Sequence, residues 1–215
     1  MIRTFRFVFL FLIALGSTHA VAQATGGFVS LFDGKTLDGW VIVNGDSRDF
    51  FLADGVIHGH GGPSLEEEKS VVLHTTRQYS NFILRLEVRF VTPYADSGVL
   101  VRMTSPTKEG YQIQLRDGTL NRPVAWSGCL LRTGDVSHGE TTFDFSTAFR
   151  AYKTHKEHCD WDTYEIEVIG QRISVRVNGL TVTTASRVLS PSGYIYLLAE
   201  MGDVEFRNIQ IREVY

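Results

Sequence analysis

The 215-residue chain has only two cysteines, Cys129 and Cys159, so a dense disulfide scaffold is excluded. It has no block of basic residues and no basic amphipathic helix, and its formal net charge is −3. Binding to nucleic acid or to a membrane surface therefore finds no support. No segment beyond the first residues repeats with a helical period. There is no internal repeat, no low-complexity tract and no linker. G-x-S-x-G, Walker and H-E-x-x-H motifs are all absent, so serine hydrolase, nucleotide and zincin readings find no support. The paired E-x-D-x-x-E carboxylates of ordinary glycoside hydrolysis are missing too.

What is present begins with a leader. Arg3 and Arg6 precede an apolar run from Phe7 to Leu15, and Ala22-Gln23-Ala24 supplies small residues for cleavage. This predicts a secretory signal peptide over 1–24 and an exported protein, periplasmic or extracellular. The run falls short of the roughly 20 residues that span a bilayer, so no membrane insertion is expected after cleavage. Residues 25–215 then suffice for one domain with a sizeable core. In an exported chain, Cys129 and Cys159 are expected to form a disulfide.

Apolar and polar residues alternate repeatedly. Phe82, Leu84, Leu86, Val88 and Phe90 interleave with Ile83, Arg85, Glu87 and Arg89. The same period runs through Val99–Met103, Tyr111–Arg116, Tyr164–Val168 and Ile173–Asn178. Asp54-Gly55, Asp117-Gly118, Gly170-Gln171 and Asn178-Gly179 mark the turns. Many short strands with frequent turns predict an all-β sandwich or jelly roll. The section from Gly118 to Asp160 is irregular, and a loop of that length is usually functional.

By alternation, Glu87, Arg102, Gln112, Gln114 and Arg116 face away from the core. A concave sheet with such a lining offers donors and acceptors to sugar hydroxyls. A carboxylate on it can act as a base and an arginine can stabilise an oxyanion. The competing reading is a solvated face of cross-strand charge pairs. His58 and His60 share a strand face and are a weaker metal candidate. Trp126 and Tyr94 suit sugar stacking, whereas Trp40 and Trp161 are expected in the core.

Six stretches in order carry a resemblance. They are Phe28–Trp40, Asp96-Ser97-Gly98-Val99-Leu100-Val101-Arg102, Gly110-Tyr111-Gln112-Ile113-Gln114-Leu115, Trp161–Ile166, Val177-Asn178-Gly179 and Gly193–Ile209. Together they resemble the 3-keto-disaccharide hydrolase family of secreted bacterial proteins. The resemblance implies a concanavalin-like, laminarinase-like jelly roll of two antiparallel sheets, with a cleft on the concave one. It also implies cleavage of sugars oxidised at C3. On that basis Glu87 is expected as base, Arg102 as enolate stabiliser and Glu200 as a second carboxylate. Gln112, Gln114, Arg116, Asp96 and Trp126 are expected to hold the carbohydrate. No cofactor is expected, although calcium would suit carboxylates such as Asp33 or Asp203. The chain departs from the family at Gln112, where a glutamate is usual, at Asp96, where asparagine is usual, and at Leu198, where glutamine is usual. A non-catalytic carbohydrate-binding module of the same fold is the alternative.

Overall fold

The computed structural model describes residues 26–64, 67, 69–104, 109–117, 127–133, 142–144 and 159–215. Within them the alternating segments form two antiparallel sheets and no helix long and apolar enough to cross a membrane. The first sheet runs, in spatial order, β10 (Thr142–Asp144), β13 (Leu180–Ser186), β12 (Arg172–Val177), β11 (Asp162–Ile169), β6 (Phe82–Phe90), β15 (Asp203–Glu213), β4 (Val56–His60) and β3 (Phe50–Ala53). A short β1 (Val29–Ser30) also pairs with β15. The second sheet runs β2 (Trp40–Val43), β5 (Val71–Thr75), β14 (Tyr194–Met201), β7 (Asp96–Met103), β8 (Gly110–Arg116) and β9 (Leu130–Thr133).

The apolar half of each strand faces the other sheet. Phe82, Leu84, Leu86, Val88 and Phe90 are at most 2% exposed and join one cluster with Val99, Val101, Ile113, Leu115, Ile195 and Leu197. At about 1.5–3 kcal/mol per buried large side chain, this cluster is the main force holding the sheets together. The β11–β12 hairpin turns at Gly170-Gln171, as the period predicts, with Gly170 at φ +55°.

The Leu31–Trp40 stretch is a structural clasp. Asp33 Oδ1 accepts from the backbone N–H groups of Lys35 and Thr36, each at 2.8 Å, which holds its carboxyl below the usual range. Trp40 is buried, and its indole N–H donates to Leu31 O at 2.7 Å. Leu31 N–H in turn donates to Ile209 O, tying the opening of the domain to the closing strand.

Three expectations are corrected. Cys129 and Cys159 are not bonded to each other. Cys129 is buried beside β8 of the second sheet, whereas Cys159 is exposed and its backbone N–H donates to Phe90 O in the first. Trp161 lies outside the core cluster: the guanidiniums of Arg207 and Arg89 stand 3.9 and 4.6 Å from its ring centre.

The third concerns Arg102. The β7–β14 register shifts between the pairs Met103↔Tyr194 and Leu100↔Tyr196, and Arg102 takes φ +57°. This bulge inserts one residue and reverses the alternation beyond it. Met103 joins an outer apolar cluster, while Arg102 is buried, 1% exposed. Its guanidinium donates to the backbone carbonyls of Ser190 and Gly170. Burial lowers its pKa, with Tyr111 acting in the opposite sense.

Candidate functional site

The residues expected to share one site divide between the two sheets. Glu87 belongs to the first. It faces Arg207 across the β6–β15 ladder, and Arg207 Nε donates to Glu87 Oε2 at 2.7 Å. Its neighbours continue the pattern. Glu165 accepts from Arg85 at 2.8 Å and from Arg176 at 2.5 Å, and Glu205 accepts from Arg89 at 2.6 Å. These are cross-strand charge pairs, the competing reading of the polar face. Of these, Glu87, Arg85, Glu165 and Arg176 line a hollow of about 540 Å³. Since Arg102 is in the other sheet and buried, Glu87 and Arg102 do not converge as base and oxyanion stabiliser.

The outward face of the second sheet does bring residues together, and the strand register orders them in three rows. The first row runs Val41, His74, Tyr196, Leu100, Gln112 and Leu131. The second runs Val43, Val72, Leu198, Gly98 and Gln114. The third pairs Asp96 with Arg116 and is flanked by Glu200, which lies at a bulge between Ala199↔Ser97 and Met201↔Asp96.

Polar groups on this face form a chain. Gln112 Nε2 donates to Gln114 Oε1 at 2.9 Å, Gln114 Nε2 donates to Asp96 Oδ1, and Arg116 is ion-paired with Asp96 Oδ2. Asp96 and Gln114 are 2% and 3% exposed, so this is a buried network. Gly98 makes it possible. A Cβ there would lie 2.9 Å from Gln112 Cγ and Nε2, so glycine lets the Gln112 amide fold across to Gln114.

Beside the polar chain lies an apolar and aromatic patch that sequence reasoning missed. Val72, Leu100, Met103, Tyr196 and Leu198 form a second buried cluster on this outer face, flanked by Tyr194. The His74 ring lies 5.0 Å from that of Tyr196 and 5.4 Å, edge-on, from that of Tyr194. Tyr196 is fully buried, and among the described residues its hydroxyl has no hydrogen-bond partner. Burial, and after it Tyr194, pushes its pKa up to about 12. The missed signal is a strand, β14, whose two faces are both apolar or aromatic from Tyr194 to Ala199, so that stretch reads as uniform core.

Of the remaining expectations, Trp126 lies outside the described residues. Tyr94 is exposed on the loop before β7. His58 and His60 face Glu205 and Asp203 across the β4–β15 ladder, at 3.2 and 2.5 Å. Among the described residues no group of three or more His, Cys, Asp or Glu side chains can hold a metal ion.

No curated protein matches this chain. Among solved structures, two Parabacteroides distasonis proteins provisionally assigned as glycosyl hydrolases superpose on 88% of it. One is 23% identical with a TM-score of 0.64 over all of its own length, and the other is 19% identical with a TM-score of 0.63 over 94%. A carbohydrate-binding module from Bacillus subtilis matches 81% of the chain and 96% of its own, at 12% identity and TM-score 0.57. A Bacillus licheniformis β-glucanase matches 89% of the chain and all of its own, at 12% identity and TM-score 0.53. These likenesses show the jelly-roll fold. The family model for the 3-keto-alpha-glucoside-1,2-lyase-like domain matches residues 27–212, nearly the whole described body, and the chain belongs to that family.

Proposed function

We propose that this protein cleaves glycosides whose sugar ring already carries a ketone at C3, on the outward face of its six-stranded sheet. A 3-ketone acidifies the hydrogen at C2. A base removes it, the anomeric oxygen leaves, and water then adds to the double bond. The observation that carries the reading is the gathering of Asp96, Gln112, Gln114, Arg116 and Glu200 on one face of one sheet, in a chain of this family. The half-buried Gln112 amide and Arg116 guanidinium, held in place by the buried Gln114 and Asp96, present donors and an acceptor whose positions are already fixed. Such preorganisation lowers the cost of holding a sugar in a reactive pose. Glu87 and Arg102, on the other sheet and in the interior, stand outside this site. The elimination as drawn uses protein groups and water alone.

One observation favours a second reading, a module that binds sugar without cleaving it. Where the family carries a glutamate, this chain has Gln112, and its amide is engaged with Gln114. An assay separates the two. The protein is mixed with a 4-nitrophenyl 3-keto-glucoside and, separately, with an unoxidised disaccharide. Release of nitrophenol supports cleavage, whereas a rise in melting temperature without release supports binding. Neither effect with either sugar removes both readings.

We also infer export, on the basic head, apolar run and Ala22-Gln23-Ala24 of the leader. Fractionation of the producing cell, with N-terminal sequencing of the mature protein, tests it. Recovery of an uncleaved chain in the cytoplasm would refute it.

A further inference from the structure

The elimination needs a group that accepts the C2 hydrogen and a donor at the C3 oxygen. The polar chain is poorly suited to the first task. Asp96 is held by both Arg116 and Gln114, and Glu200 lies four residues along β14 from Tyr196, roughly 13 Å at about 3.3 Å per residue. The aromatic row is better suited. His74 Nδ1 lies 2.9 Å from Thr75 O. A carbonyl only accepts, so Nδ1 carries the proton, and Nε2 of the neutral ring carries the lone pair. Among the described residues, Nε2 has no hydrogen-bond partner. His74 is half-buried and stands directly opposite Tyr196 in the β5–β14 register. The Tyr196 hydroxyl is buried and, among the described residues, unpartnered, an arrangement that costs stability unless something else fills it. A fixed acceptor and an unfilled donor therefore sit side by side on the face that carries the sugar-binding chain.

We propose that His74 and Tyr196 are the proton-transfer pair of this site, with His74 Nε2 taking the C2 hydrogen of a 3-keto-pyranoside and the Tyr196 hydroxyl donating to its C3 oxygen. This rests on the reading given under Proposed function. The C2–H bond breaks, the proton passes to Nε2, and the electron pair becomes the C2–C3 enolate. Tyr196 hydrogen-bonds to the charge on O3. As the ketone re-forms, the C1–O bond breaks and C1=C2 forms. The leaving oxygen then takes the proton from Nε2, and the histidine returns to its neutral form. Tyr196 stays protonated at neutral pH because its burial opposes ionisation. The polar chain, about two pyranose rings distant at its far end, holds the rest of the substrate.

The test follows C2–H exchange in D2O by NMR together with nitrophenol release from the 4-nitrophenyl 3-keto-glucoside. His74→Asn keeps an amide for Thr75 O and removes the Nε2 lone pair. It is expected to lose both exchange and release by about 10²–10⁴-fold with little change in KM. Tyr196→Phe removes only the unpartnered hydroxyl. It is expected to lower kcat by about 10–10³-fold, with a melting temperature no lower than that of the parent. Exchange and release at the parental rate in folded His74→Asn would overturn the pair. Should that variant fail to fold, an unchanged kcat in Tyr196→Phe would overturn it instead. A parent protein that neither exchanges nor releases would overturn the elimination itself, and the pair with it.

Discussion

Arg207 and Glu87 face each other across β15 and β6, joined by a 2.7 Å hydrogen bond. Glu87 is thus a ladder residue on the nine-stranded sheet, well removed from the polar chain of the six-stranded one. Glu87→Gln is expected to keep nitrophenol release at the parental rate. Its stability should fall by no more than about 1 kcal/mol, the usual worth of a cross-strand charge pair. Parallel kinetics and urea titration check both halves.

Arg102 is a structural cation. It is buried, and two main-chain carbonyls accept from it. Arg102→Met fills much of the space but leaves those carbonyls unsatisfied, so a loss of about 2–4 kcal/mol is expected. Denaturant unfolding measures it, and a change under 0.5 kcal/mol, roughly the scatter of surface substitutions, would contradict the role.

Tyr196→Phe should move stability the other way. Among the described residues its buried hydroxyl has no partner, so removing it relieves a desolvation cost of up to about 1 kcal/mol. In a domain of this size that is a rise of a few degrees in Tm by calorimetry.

Gly98→Ala tests the polar chain from beneath. The new Cβ would meet the Gln112 amide at 2.9 Å and turn it away from Gln114. The fold should survive, because the far end of a flexible side chain can yield. Affinity for the keto-glucoside should fall about tenfold, or roughly 1.4 kcal/mol, read as KM or by titration.

Glu165 gives a pH signature. Burial alone would raise its pKa, but hydrogen bonds from Arg85 and Arg176 outweigh that and hold it below the ordinary 4.5. The unfolded chain therefore binds its proton first as pH falls. The stabilisation is complete above 4.5 and is lost as pH drops through the lower folded value. The stability gap between the parent and Glu165→Gln should be widest above about pH 6 and should narrow towards about pH 3. A gap that does not vary with pH would contradict this.

The alternation of β6, β8, β11 and β12 made the sandwich legible, because a period of two names the buried face of each strand without any knowledge of its partners. It does not say which sheet a strand joins. Glu87 and Gln112 both point outward by that rule, yet they lie on opposite sides of the molecule. Arg102 was misplaced for a different reason: one residue at positive φ reverses the period, and nothing in Val99–Met103 announces it. Alternation set Gln112, Gln114 and Arg116 on one outward face, and the strand register brings Asp96 and Glu200, named only by the family resemblance, alongside them. His74 and Tyr196 were hidden because aromatic residues on an outer face look like core.

β15 follows every other described strand in the sequence, yet it lies inside the nine-stranded sheet, between β6 and β4, and also holds β1. Until Asp203–Glu213 has been synthesised, β6 and β4 each present an unpaired edge, and nothing local can fill it. The sheet therefore closes only after the ribosome has made this strand. A strand that follows all its partners in the sequence yet binds between them makes closure of the sheet wait on the most non-local pairing in the fold.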